Sequence, residues 1–343
     1  DRIKNNPEKE VISLKKSILL LIVLLPALCG KAQDPQFTQF YANPIYLNPA
    51  YTGVTYEHRF IGNYRNQWLG LAKAYQTYSA SYDYNISDMN SGIGFQLWRD
   101  VAGSSKFTTT NIGASYAYHF KITKFQELRG GLQFNYVSQA IDQSKLVFND
   151  QLVPNGAAVS GDIATMNPRI GYVDVNSGVL LNSTEYWAGI SAFHLTTPNV
   201  SLTDGAAKLP MRISVHGGYR FVKEKKGGKL LKYFSPAFNY RHQQKYDQLD
   251  LGVYYVHFPL NLGLWYRGLP LKRYQPTYPN HDALSVLIGV DLKDADMRIA
   301  YSYDLTLNRL LSNSTGSHEI SIIYEIASRR KKTKKVLISC PKF

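Results

Sequence analysis

Histidines are the residues of this chain best suited to chemistry, and their spacing argues against most of it. His58, His119, His194, His216, His242, His257, His281 and His318 are scattered along 343 residues. No two of them flank a glutamate at the helical spacing that sets a pair of imidazoles around zinc. Two are followed directly by an acid. His281-Asp282, beside Asn280 in a predicted loop, imitates part of a hydrolase site. Acyl transfer also needs an activated serine within hydrogen-bond reach, and no spacing here supplies one. His318-Glu319 opens a predicted strand and reads as a lumen or turn pair. There is no phosphate loop. The cysteines are Cys29 and Cys340. These residues point to no enzyme, no cofactor and no metal site.

The N-terminus explains one of the cysteines. Residues 17–28, SILLLIVLLPAL, follow Lys15 and Lys16 and precede Gly30-Lys31-Ala32. A basic start, a short apolar run and small residues before a cut predict a secretory signal peptide over 1–32, its first twelve residues an upstream extension. Leu28 before Cys29 is too bulky for a lipoprotein cleavage box. Cleavage before Gln33 would leave Cys340 alone, with no intramolecular disulfide and no paired-cysteine metal site. It would also lower the formal net charge from +14 to +11, of which seven positive charges sit after Ser328. The basic character is therefore largely a tail property, and export makes nucleic acid an implausible partner.

The elements that would carry any site are strands. Apolar residues alternate with polar or small ones in run after run. In 108–120, Ile112, Ala114, Tyr116, Tyr118 and Phe120 share one face, and Asn111, Gly113, Ser115, Ala117 and His119 share the other. A period of two means strands with one apolar face each. Fourteen are predicted: 56–66, 74–85, 91–99, 107–120, 126–139, 169–181, 185–195, 209–222, 232–241, 245–256, 259–267, 283–292, 296–305 and 317–327. Even-numbered connections are mostly short (121–125, 182–184, 257–258, 293–295). Odd ones include the long 140–168, 196–208, 268–282 and 306–316. Two exceptions are the short 67–73 and the long, basic 223–231. Short turns on one side and long loops on the other are the pattern of outer-membrane barrels, with both chain ends in the periplasm. A globular sandwich has no reason to sort loops by parity.

Face chemistry points the same way. Arg212, His216 and Arg220 alternate with Ile213, Val215, Tyr219 and Phe221. Arg298 and Asp304 alternate with Ile299, Tyr301, Tyr303 and Leu305. Arginine facing lipid would cost about 2–4 kcal/mol near the midplane, so Arg212, His216, Arg220, Arg298 and Asp304 are expected in the lumen. The 26 tyrosines suit a membrane–water boundary. Trp68, Trp98, Trp187, Phe120 and Tyr266 are expected in the interfacial girdles. The fold class is an all-β transmembrane antiparallel barrel of about fourteen strands over 56–327. A leader occupies 33–55 and a basic tail 328–343.

The ends carry a resemblance. Residues 33–53 read QDPQFTQFYANPIYLNPAYTG, with Asp34-Pro35-Gln36-Phe37, Asn43-Pro44 and Asn48-Pro49-Ala50-Tyr51 followed by Gly53. Arg65-Asn66-Gln67-Trp68, Tyr301-Ser302-Tyr303-Asp304-Leu305-Thr306, Gly316-Ser317-His318-Glu319-Ile320 and Cys340-Pro341-Lys342-Phe343 follow in order. The chain resembles the PorP/SprF family of Bacteroidota, accessory proteins of type IX secretion and gliding motility. The resemblance implies an outer-membrane barrel whose partners are lipid, the C-terminal domain of a large secreted adhesin-type protein, and other secretion components. It brings no catalytic residues.

Candidate partner-binding residues are Asp34, Phe37, Asn43, Pro44, Asn48 and Pro49 in the leader and Arg330, Lys331 and Lys332 in the tail. The leader would plug the lumen, lie against the periplasmic mouth, or only conduct the chain into its first strand. The tail would dock on an acidic partner or on anionic headgroups, or simply be solvated. Three functions compete: a secretion or display partner, an outer-membrane channel, and an outer-membrane enzyme.

Overall fold

In the computed structural model the residues described are 34–55, 57–70, 75–152, 160–226, 229–275, 278–292, 295–307 and 314–326. The predicted signal segment 1–32 and the predicted tail 328–343, with Arg330, Lys331, Lys332 and Cys340, lie outside them. The chain divides into two units, Asp1–Gln36 and Phe37–Phe343. Residues 34–36, the described part of the first, have no regular structure. The second unit is the barrel.

Its strands are β1 His58–Gln67, β2 Tyr75–Ile86, β3 Ser91–Ala102, β4 Phe107–Lys121, β5 Gln126–Ala140, β6 Arg169–Ser183, β7 Tyr186–Phe193, β8 Arg212–Tyr219, β9 Phe221–Lys226, β10 Lys229–Gln243, β11 Tyr246–His257, β12 Leu260–Gln275, β13 Tyr278–Leu292, β14 Met297–Thr306 and β15 Ser317–Ile326. β8 and β9 are two pieces of one stave interrupted at Arg220, and both pair with β10. β15 pairs with β1 from Ser317↔Gln67 to Ile326↔His58. The result is a closed antiparallel barrel of fourteen staves. Closure joins the first strand to the last, so the sheet has no free first or last strand among the described residues, the arrangement that lets strands cross hydrocarbon.

The alternation predicts the faces because successive side chains leave a strand on opposite sides. In β4, Ile112, Tyr116, Tyr118 and Phe120 are exposed on the outside while Asn111, Ser115, Ala117 and His119 are buried within. In β5, Leu132, Phe134 and Tyr136 are exposed and Arg129, Gln133 and Asn135 are buried. Phe134 sits mid-strand and 59% exposed. Phe134→Arg should therefore lower stability by about 2–4 kcal/mol in lipid vesicles, read by denaturant titration. A loss no greater than that of arginine in the turn at 122–125 would contradict a lipid-facing β5.

Several boundaries differ from the sequence reading. The basic stretch 223–231 is not a long connection: β9 ends at Lys226 and β10 begins at Lys229. In the sequence, the Gly-Gly dipeptide between them is a hairpin signal. Likewise 268–282 is strand at both ends, because β12 runs to Gln275 and β13 starts at Tyr278. Long connections remain at 141–168, 194–211 and 307–316, all at one end, with tight turns such as 122–125 and 184–185 at the other. The first of the long connections holds short helical turns at Gln143–Lys145, Asn149–Leu152 and Gly161–Ala164.

Trp98 and Trp187 are not in girdles. They are 9% and 2% exposed and face inward. Trp98 follows the outward Leu97, so alternation itself sends it inside. Phe120 is exposed on the outside, as a girdle requires.

Candidate functional site

The interior of the barrel is occupied by its own leader. Residues 37–55 are buried throughout, with Phe37, Gln39, Asn43, Ile45, Asn48, Ala50 and Tyr51 at 1% exposure or less. The segment begins beside the long-loop ends of β14 and β15. It crosses the middle of the barrel and leaves for β1 at the tight-turn end.

The Asn-Pro pairs build its shape. Pro44 opens a helical turn, Pro44–Leu47, and Pro49 opens another, Pro49–Tyr51. Proline suits the first helical position because its missing N–H would be unpaired there anyway. Asn48 caps the second turn by accepting from Ala50 N at 2.8 Å. Its Nδ2 donates to Val179 O at 3.1 Å and Ile190 O at 3.2 Å, on β6 and β7. Asn43 donates to Ser79 Oγ and accepts from Gln96 Nε2, both at 3.1 Å. Each asparagine thus satisfies polar groups on two walls at once.

Near the long loops the segment meets a charge cluster. Glu319 accepts from the backbone N–H groups of Thr38 (2.7 Å) and Gln39 (3.0 Å) and pairs with Arg65 at 3.1 Å. Asp304 accepts from the Thr38 hydroxyl at 2.6 Å and pairs with Arg65 at 2.8 Å and Arg267 at 3.3 Å. Arg267 also pairs with Asp250, which takes Arg241 at 3.3 Å. These arginines and carboxylates come from β1, β10, β11, β12, β14 and β15, and the leader's hydroxyl and amides add hydrogen bonds to them. Buried charges persist only when paired and hydrogen-bonded in this way.

The centre is aromatic. Phe40 packs edge-on to Trp265 at 4.9 Å, Tyr41 to Trp187 at 5.7 Å, and Tyr46 to Trp98 at 6.1 Å. Beside Phe37, Tyr46 and Arg212 a void of only about 10 Å³ remains, on the order of one water. Near the tight turns, Arg129 donates to Ala50 O (3.0 Å) and Thr52 O (2.7 Å). Arg59 pairs with Asp83, whose other oxygen accepts from Gly53 N at 2.7 Å. The wall is notched for the leader. A β-carbon on Gly131 would lie 2.4 Å from Ala50 N, and one on Gly178 would lie 2.0 Å from Asn48 Oδ1.

The lumen candidates are distributed around this packing. Arg212 lies over the Phe193 ring at 4.2 Å and Tyr46 at 5.4 Å. His216 is fully buried against Tyr51. Arg220 donates to Thr184 O at 2.9 Å, and Arg298 pairs with Asp291 at 2.5 Å. Asp304 alone of the five joins the charge cluster. Asp34 belongs to the first unit. His281 is in β13, not a loop, and bonds the Tyr266 hydroxyl. Asp282 lies 3.9 Å from Arg267. His318 bonds the Tyr301 hydroxyl at 2.6 Å. Among the described residues no three His, Cys, Asp or Glu side chains gather as a metal site. Sequence reasoning left out Arg65, Arg129, Asp250, Arg267 and Glu319 as site residues. Their inward parity was readable, but their meeting was not.

The chain resembles the toluene transporter TbuX of Ralstonia pickettii at 10% identity, over 82% of this chain and 92% of that one, with a TM-score of 0.47. The Pseudomonas putida toluene transporter TodX gives 10%, 86%, 94% and 0.42. The Acinetobacter baumannii outer membrane protein Omp33 gives 6%, 79%, 99% and 0.42. No curated protein matches the sequence. Residues 29–324 match the family described as type IX secretion system membrane protein PorP/SprF. An outer-membrane barrel with this match over most of its length belongs to the PorP/SprF family of type IX secretion.

Proposed function

We propose that the protein is a filled scaffold that binds a large secreted, adhesin-type protein and supports its export or surface display. The observation that carries this reading is the segment 37–55, buried along its length and bonded to strands on every side of the barrel. A passive channel needs a continuous water path, and this segment stands across it. Work by protein contact then falls to the barrel ends, the long connections and the basic tail with Arg330, Lys331 and Lys332.

In planar bilayers the purified protein should show no steady conductance. A persistent open state would favour the channel reading. Deleting 34–50 should abolish export of the partner while the barrel still assembles. The comparison is between secreted and surface proteomes of the deletion strain and its parent, with loss of one or a few proteins expected. Normal secretion from an assembled, deleted barrel would end the proposal.

A further inference from the structure

An irregularity of the wall lies at β9. Among the described residues, β9 pairs with β10 alone. β7 accompanies β8 only as far as Tyr186↔Tyr219, and Arg220 N then donates to Glu185 O at 2.6 Å. Past that bond the β6–β7 turn ends the neighbour, and β9 runs on without one. The break has a cause in the sequence. Pro236 has no N–H to give, and the β10 ladder is interrupted between Phe234↔Phe221 and Ala237↔Gly218. The Ser235 hydroxyl donates to Tyr219 O at 2.9 Å in its place.

What emerges is an edge strand of six residues at the tight-turn end. Phe221, Lys223 and Glu224 are exposed. A cavity of about 570 Å³ opens along the edge, lined by Glu185 and residues 219–224. A strand edge presents a row of backbone donors and acceptors and is a template for another strand. Exposed edges are managed by covering, shortening or charging them, and they are used by β-augmentation when a partner must dock.

We propose that β9 is a docking edge for an extended, acidic segment of another protein, which adds to the sheet as a strand about as long as β9. The inference rests on the scaffold reading above for the setting in which such a partner is met. Charge selects the occupant. Residues 221–232 carry five lysines and one glutamate. The chain's own tail is itself strongly basic, and a second copy would bring an identical lysine-rich edge. Like charges facing across paired strands are destabilising, so both are disfavoured against an acidic strand. Tight turns mark the periplasmic end of outer-membrane barrels, and a partner there is a periplasmic or transiting protein.

The test uses the full chain in nanodiscs and a short fluorescein-labelled peptide of alternating Glu and Val. Three comparisons accompany it: the same peptide with Lys for Glu, the Glu peptide N-methylated at alternate residues, and the K223E/K225E/K226E variant. The acidic peptide should bind and slow amide exchange within 221–226. Binding should fall at least about tenfold, or about 1.4 kcal/mol, in each comparison. Equal binding of the N-methylated peptide would reduce the effect to charge and overturn strand addition. Absence of binding, or equal binding of acidic and basic peptides, would also overturn it. Binding that appears only after truncation at Ile326 would assign the edge to the chain's own tail. Concentration-dependent dimerisation with protection of 221–226 would assign it to a second copy. Export need not be functional for any of these readouts, so failure of the edge and failure of the scaffold reading are separable.

Discussion

Gly131→Leu should dislodge the segment inside the barrel without disturbing the barrel itself. Gly131 faces inward, and its missing side chain is where Pro49 and Ala50 pass. A β-carbon there would stand 2.4 Å from both Ala50 N and Pro49 C. Those are backbone atoms, which cannot rotate aside, and Asn48 and Arg129 pin them from two sides. Overpacking of this kind costs about 1–3 kcal/mol even where side chains absorb it. The Tyr51 and Thr52 amides, bonded to Asn48 O and Pro49 O, should therefore exchange about 10–100-fold faster. Gly130 is the control. It points outward with nothing within 4 Å of an added β-carbon, so Gly130→Leu should leave the same amides unchanged. Equal protection in both variants would mean that the notch does not hold the segment.

Glu319→Ala should be the most destabilising single change at the charge cluster. Glu319 is fully buried and serves three donors: two backbone N–H groups of the leader and the Arg65 guanidinium. Removing one partner of a buried pair costs about 3–5 kcal/mol, because the remaining charge stays desolvated. The two amides lose their acceptor as well. Arg65→Met combined with Glu319→Met should cost clearly less than the sum of the single changes, since Asp304 keeps Arg267 and no lone charge is left. Denaturant titrations of the four proteins in one detergent give the cycle. A Glu319→Ala variant within about 1 kcal/mol of the parent would show that the cluster contributes little.

Much of this architecture was legible because strand periodicity is local. Tyr116, Phe134 and Ile299 are outward, and Arg129, Arg212 and Asp304 inward, by the same rule. Where that rule was set aside the reading failed. Trp98 was assigned to a girdle on the preference of tryptophan for interfaces, although Leu97 beside it already claimed the outward face. The stretch 223–231 reads as a long basic connection, whereas β9 runs to Lys226 and β10 starts at Lys229. The charge cluster was beyond reach for another reason. Arg65, Asp250, Arg267, Asp304 and Glu319 come from five strands, and which of them meet depends on ring closure and register. The leader's course was open for the same cause: the Asn-Pro pairs specify short turns, not the wall against which they lie.

The seam of the ring has a further meaning. β1 and β15 are the first and last strands, and Arg65 stands opposite Glu319 across the joint. Those two residues also grip Thr38 and Gln39. A ring already shut offers no side entrance to a segment bonded on every wall, and the segment precedes β1 in the chain. The segment is gripped from both sides of the seam. The joint between the two ends of the sheet carries an ion pair and two amide bonds to the segment. Holding the ring shut and holding its contents thereby fall to the same two residues.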